Sequence, residues 1–138
     1  MEEGAFTIER VAKIAASLEI DHDRRADVLA ANDLDEERWE ELESAQDDAL
    51  RDALARGDAS KLERYDRAYL ERIEEERGPI SIEEYASVVR ASRTGGSAAR
   101  LEELEIPESA ELPLMRIFEA RLAEDEVAAH TLREALGE

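Results

Sequence analysis

The chain has 138 residues, enough for one domain with a real core, and carries a formal net charge of −19. Phosphate binding needs clustered Lys and Arg, so that charge excludes nucleic acid and anionic membrane surfaces as direct ligands. Cys is absent, which removes a disulfide frame, a thiolate nucleophile and Cys-based metal sites, and no run approaches the roughly 18 apolar residues of a membrane span.

Large apolar residues number 36 and alanines 23, so the core is modest and rich in small contacts. The apolar positions recur regularly, which a disordered acidic chain lacks. Sixteen Arg accompany only Lys13 and Lys61, a balance that with abundant Ala fits a GC-rich genome and with the acidity a salt-adapted host. The opening "MEEGAFTIER" has neither the basic nor the apolar region of a signal peptide, so the expected location is the cytoplasm.

No alternating strand pattern is sustained, and the spacing predicts helices throughout. Helix one runs from about Thr7, a suitable N-cap, to Ile20, with Ile8, Val11, Ile14, Ala15 and Leu18 on one stripe. "DHD" interrupts it. A short helix to about Ala31 turns Ala26, Val28 and Leu29 inward, Asn32 suits the C′ position, and Asp35 caps the next helix. Helix three, about Glu36 to Ala55, buries Trp39, Leu42, Ala45, Ala49, Leu50, Ala53 and Leu54. Helix four, about Ala59 to Arg77, gathers Leu62, Tyr65, Ala68, Tyr69 and Ile73 on one face before "RGP" stops it.

Ser81 and Glu84 form a capping box that opens helix five, which runs to about Arg93 and buries Ile82, Tyr85, Ala86, Val88 and Val89. After "TGGS" a short helix carries Leu101 and Leu104. Helix seven follows "IPES" with Leu114, Met115, Ile117, Phe118 and Leu122, and Pro113 fits only in its first turn. A final helix from about Asp125 carries Val127, Ala128, Leu132 and Leu136.

Helices one to four and five to eight thus share one order: amphipathic, short, long, amphipathic. Thr7-Ile8-Glu9 answers Ser81-Ile82-Glu83 at an offset of 74, and Leu29 and Leu34 answer Leu101 and Ile106 at 72. The expected architecture is all-α: about eight helices as two tandem four-helix units packed into one compact bundle. Residues 1–138 form a single domain with repeat units of about 6–77 and 80–137.

The pattern "[ST]-I-E-x-[VY]-A", then a short helix, "L-x-x-[ND]-x-L" and a Trp-bearing helix, resembles a helical repeat in uncharacterised proteins of GC-rich Gram-negative bacteria, some of them near secretion-apparatus genes. The likeness covers nearly the whole chain and implies an adaptor or accessory role, with no activity attached. The second half departs from it, carrying Glu111 and Leu112 where Trp39 would align.

Chemistry-bearing constellations are few. Asp21, His22 and Asp23 sit together in a connector, where Asp is a favoured cap; a hydrated divalent ion is the functional alternative. Glu126 and His130 share a helix face at i and i+4, but di-iron bundles need Glu-x-x-His from two helices and further inward Glu. Neither a P-loop, a Rossmann glycine pattern nor a nucleophile elbow is present, so the expectation is no enzyme, no cofactor and no metal. Trp39, Tyr65, Tyr69 and Tyr85 read as core aromatics.

The remaining functional signal is the acidity. It either keeps the chain soluble or docks another protein, a basic one being its natural counterpart. The docking candidates are Glu36, Glu37, Glu40, Glu41, Asp47 and Asp48 on helix three, with Glu63, Asp66, Glu74 and Glu75 on helix four. A non-enzymatic interaction module of adaptor, chaperone or immunity type is therefore the expected function. A self-assembling helical protein is the alternative, and a metal-binding bundle enzyme the third reading.

Overall fold

The computed structural model describes residues 6–137. Among them there are eight α-helices and no strand: α1 Ile8–Ile20, α2 Arg25–Ala31, α3 Glu36–Ala55, α4 Ser60–Arg77, α5 Ile82–Ser92, α6 Ser97–Glu103, α7 Glu111–Glu124 and α8 Glu126–Leu136. Short 3-10 turns at His22–Arg24 and Glu108–Ala110 lead into α2 and α7. No helix among the described residues is long and apolar enough to cross a membrane.

The helix starts are set by side chains that accept from otherwise orphaned amides. Thr7 Oγ1 accepts from the Arg10 amide at 3.1 Å, and Asp35 Oδ1 from the Arg38 amide at 2.8 Å. Ser81 and Glu84 complete the capping box, with the Glu84 amide donating to Ser81 Oγ and the Ser81 amide to Glu84 Oε1. Asp125 accepts from the Val127 and Ala128 amides and opens α8. Pro113 sits in the first turn of α7, where its missing N–H costs nothing.

Two compact units divide the chain, residues 1–72 and 73–138. The division falls inside α4 and not in the connector at Gly78–Pro79, because the last turn of that helix is bonded forward along the chain. Glu74 accepts from the Ile80 amide at 2.8 Å, and Arg77 donates to the Leu104 carbonyl at 3.0 Å and to the Glu84 carboxylate. In the first unit α1 packs on α2 and α3. Its core joins Val11, Ile14 and Leu18 of α1 to Leu29, Leu34 and Trp39, the last only 1% exposed. In the second unit α5 packs on α6 and α8, and α7 on α8. There Tyr85 stacks on Phe118 at 4.6 Å between ring centroids, among buried Val88, Leu101, Ile106 and Leu114.

The end of the short helix is built alike in both units. The Asp33 amide donates to the Ala30 carbonyl and the Leu34 amide to that of Leu29; the Glu105 amide donates to Glu102 and the Ile106 amide to Leu101. These are Schellman turns, each closed by a buried apolar pair. They demand a left-handed residue at C′. Asp33 (φ 59°) and Glu105 (φ 63°) supply it, the two non-glycine residues of positive φ among those described. Asn32, expected at C′, stands one position earlier and donates from Nδ2 to the Val28 carbonyl at 2.9 Å.

Three inward expectations do not hold: Ala26, Ala45 and Leu54 are exposed, and Val127 is exposed by 77% as well. Val127 lies in the first turn of α8, where Ala128 takes the buried position. Leu54 lies on the same line of α3 as Glu36, Glu40, Glu43 and Asp47, because a 3.6-residue period carries it off the Trp39–Ala53 stripe. Leu70, absent from the expected stripe of α4, is buried.

Three substitutions test this account. Glu105→Gly should stabilise the protein by about 0.5–1 kcal/mol in chemical denaturation, and Asp33→Gly by less, since Asp tolerates the left-handed region better than Glu. Gln46 Nε2 is a buried donor without a hydrogen-bond partner, so Gln46→Leu should add about 1 kcal/mol by the same measurement.

Candidate acidic interface

Helix α3 carries the largest net negative charge of the helices, eight carboxylates against two arginines. With Trp39, Leu42, Gln46, Ala49, Leu50 and Ala53 turned toward the unit, the carboxylates form two lines. Glu36, Glu40, Glu43 and Asp47 follow one another at i+4 and i+3 along one edge. Glu37, Glu41, Asp48 and Asp52 run along the outer side. All eight residues are exposed.

Arginines brace part of this surface. Arg25 Nε reaches Glu36 Oε2 at 2.7 Å, Arg38 lies 3.3 Å from Glu41, and Arg51 lies 3.6 Å from Asp48. The Arg25 guanidinium is held protonated above its ordinary range, by Glu36 first and then by Glu43 and Glu19. Glu43 shows the opposite effect. Although the residue is exposed, its carboxyl has lost part of its water and stands among Asp47, Glu19 and Glu40. Burial first and like charge second push it above the usual carboxylate range, with Arg25 only partly opposing. Beside it on α4, burial raises the Tyr65 phenol well above its ordinary value, and Tyr69, Glu43 and Asp47 add to the shift.

Of the expected docking residues, Glu36, Glu37, Glu40, Glu41, Asp47 and Asp48 are therefore brought onto one exposed helix surface. Glu63 is exposed in the first turn of α4 and pairs with Arg67 at 3.3 Å. Asp66 is a correction: it is 1% exposed, on the same side of α4 as Tyr69 and Ile73, and offers no docking surface. Glu74 is half-buried and committed to the Ile80 amide, while Glu75 is exposed; both belong to the second unit. Glu43 was absent from the sequence-based set, although its place at i+3 from Glu40 and i+4 to Asp47 is the signal that finds it.

The metal-ligand candidates stay apart. Among the described residues no group of three or more His, Asp or Glu is placed to hold a metal ion. His22 Nε2 lies 3.3 Å from Asp23, and His130 Nε2 lies 3.3 Å from Glu134 one turn on, with both histidines exposed. Trp39, Tyr69 and Tyr85 are core residues, and Tyr65 is half-buried against Tyr69 at 6.0 Å. No family model, no curated protein and no solved structure matches the chain.

The crowding at Glu43 has a sign that can be checked. A carboxyl raised in the folded state favours folding as pH falls through its titration, and that contribution is lost as pH rises above it. In a carboxyl-detected NMR titration, Asp47→Asn should move the Glu43 midpoint downward and Arg25→Gln should move it upward.

Proposed function

We propose that this chain is a non-enzymatic, cytoplasmic interaction module that binds another protein, a basic one, through the exposed carboxylates of α3. The observation that carries the reading is the gathering of eight exposed carboxylates against two arginines on that helix. A folded surface that merely needs solubility spreads its charge, because like charges at i, i+4 are mutually destabilising. A basic partner relieves that repulsion when it docks.

Electrostatic docking of this kind acts mainly on the association rate and on partner choice. Any one rim charge is worth less than about 1 kcal/mol, so single substitutions change little. The experiment is a combined reversal, Glu37→Lys, Glu40→Lys, Glu41→Lys and Asp48→Lys, compared with wild type in capture from host extract across a salt series. A basic protein retained at low salt by wild type, released at high salt, and lost to a variant of unchanged helicity is the expected result. Identical capture by both chains would assign the acidity to solubility alone.

A second reading is self-assembly, favoured by Leu112, 61% exposed, and Val127 in the second unit. It predicts association that survives high salt in sedimentation, where the docking reading predicts monomers. We further propose that the two halves arose by duplication, as the tandem-repeat likeness suggests. The equivalent left-handed residues, Asp33 and Glu105, support it, being 72 residues apart as are Leu29 and Leu101. The halves have diverged in packing, since α1 lies on the third helix of its unit and α5 on the fourth of its own.

A further inference from the structure

At the start of the second unit one guanidinium and one carboxylate hold three stretches of backbone. Arg77, the last residue of α4, donates from Nε to the Leu104 carbonyl at 3.0 Å, at the end of α6. Its Nη1 reaches the Gly78 carbonyl at 3.2 Å and the Pro79 carbonyl at 3.1 Å, in the connector that leads into α5. Both Nη atoms also meet the Glu84 carboxylate, Nη1 at 3.2 Å from Oε1 and Nη2 on Oε2. Glu84 is shared, because its Oε1 also accepts from the Ser81 amide in the capping box of α5.

The Arg77 side chain is only 11% exposed and that of Glu84 27%. A charge withdrawn from water to that extent is tolerated while a counter-charge accompanies it and is strongly destabilising once the counter-charge is removed. Glu84 is the counter-charge, since the other acceptors of Arg77 are neutral carbonyls. In return the pairing with Arg77 holds the Glu84 carboxyl below the usual carboxylate range, against the effect of burial and with help from the Ser81 amide. Of the charges nearby, Glu74 accepts from the Ile80 amide, and Arg100 of α6 pairs with Glu103.

A carboxyl depressed in the folded state contributes stability that is present above its unfolded range and lost as pH falls through the folded one. A proton on Glu84 leaves Arg77 charged and largely out of water, so the guanidinium swings into solvent to recover its hydration. That one movement gives up the Leu104, Gly78 and Pro79 carbonyls together. We propose that Arg77 and Glu84 form an acid-opened clamp at the start of the second unit, in which one proton releases the connector and the end of α6 while the helices stay folded.

The test is an NMR titration of the full chain from about pH 7 to about pH 3, with helicity followed by circular dichroism. The signals are the Glu84 carboxyl carbon, the Arg77 Nε–H and the Leu104 carbonyl carbon. One shared midpoint for the three, reached before helicity is lost, is the expected result. Glu84→Gln separates the clamp from the cap, since Gln keeps the capping-box acceptor but carries no charge. At neutral pH this variant should show the Leu104 shift of the acid form and at least about tenfold faster exchange of the Arg77 Nε–H, with the Ser81 amide still protected. Arg77→Gln should abolish the pH response of the Leu104 carbonyl. A Leu104 carbonyl that stays put while Glu84 titrates, or that moves only with the loss of helicity, overturns the proposal, as does wild-type exchange at Arg77 in Glu84→Gln.

Discussion

Each unit depends on a sharp reversal after its seven-residue second helix. A helix that short cannot hold itself in water, since nucleation is unfavourable and few hydrogen bonds follow. It persists because its last turn is locked by a left-handed residue, which sends the next apolar side chain back beneath the helix. Leu34 returns against Leu29 in this way, and Ile106 accepts the matching place beside Leu101. The core of the first unit is assembled around that closure, with α1 supplying Val11, Ile14 and Leu18 and α3 supplying Trp39. Evolution has left Asp and Glu in positions where glycine fits with less strain.

That constraint explains which parts of the fold are legible from residues alone. Caps announce themselves because the side chain and the amide it serves lie three residues apart; Thr7, Asp35, Ser81 and Asp125 all work this way. The order of the helices follows from Pro79, Gly57 and the acidic starts. Left-handed termini at Asp33 and Glu105 are not announced, since neither residue is a glycine and only the closing apolar pair demands the conformation. Helix ends also blur the stripes. Val127 has the right period for burial, yet its turn carries a cap and no neighbour covers it, and Leu54 drifts onto the charged edge of its helix.

The acidic surface was legible as composition and only partly as geometry. Exposure of Glu36, Glu37, Glu40, Glu41, Asp47 and Asp48 follows directly from the position of Trp39 on the wheel. The place of Glu43 on that line is readable from its spacing to Glu40 and Asp47, but its raised carboxyl is not, because its environment includes Glu19 of α1 and Arg25 of α2. Asp66 defeats a rule that places carboxylates outside, and Glu74 was diverted from the surface by a backbone amide six residues ahead. Polar side chains spent on backbone groups cannot be told from solvent-facing ones by periodicity.

Arginine explains how a chain this acidic stays folded while leaving one helix strongly charged. Arg77 reaches the Leu104, Gly78 and Pro79 carbonyls and the Glu84 carboxylate while only 11% of its side chain is exposed. The pairing with Arg77 is the main reason the Glu84 carboxyl titrates below its usual range. Arg90 caps α8 by donating to the Ala135 carbonyl, and Arg100 joins Ser87 to Glu103. The planar guanidinium fork of Arg77 serves these acceptors together, where a lysine would act as a flexible point charge. On α3, by contrast, two arginines face eight carboxylates. The negative surplus of the first unit therefore gathers on exposed α3, where Arg25, Arg38 and Arg51 offset only part of it.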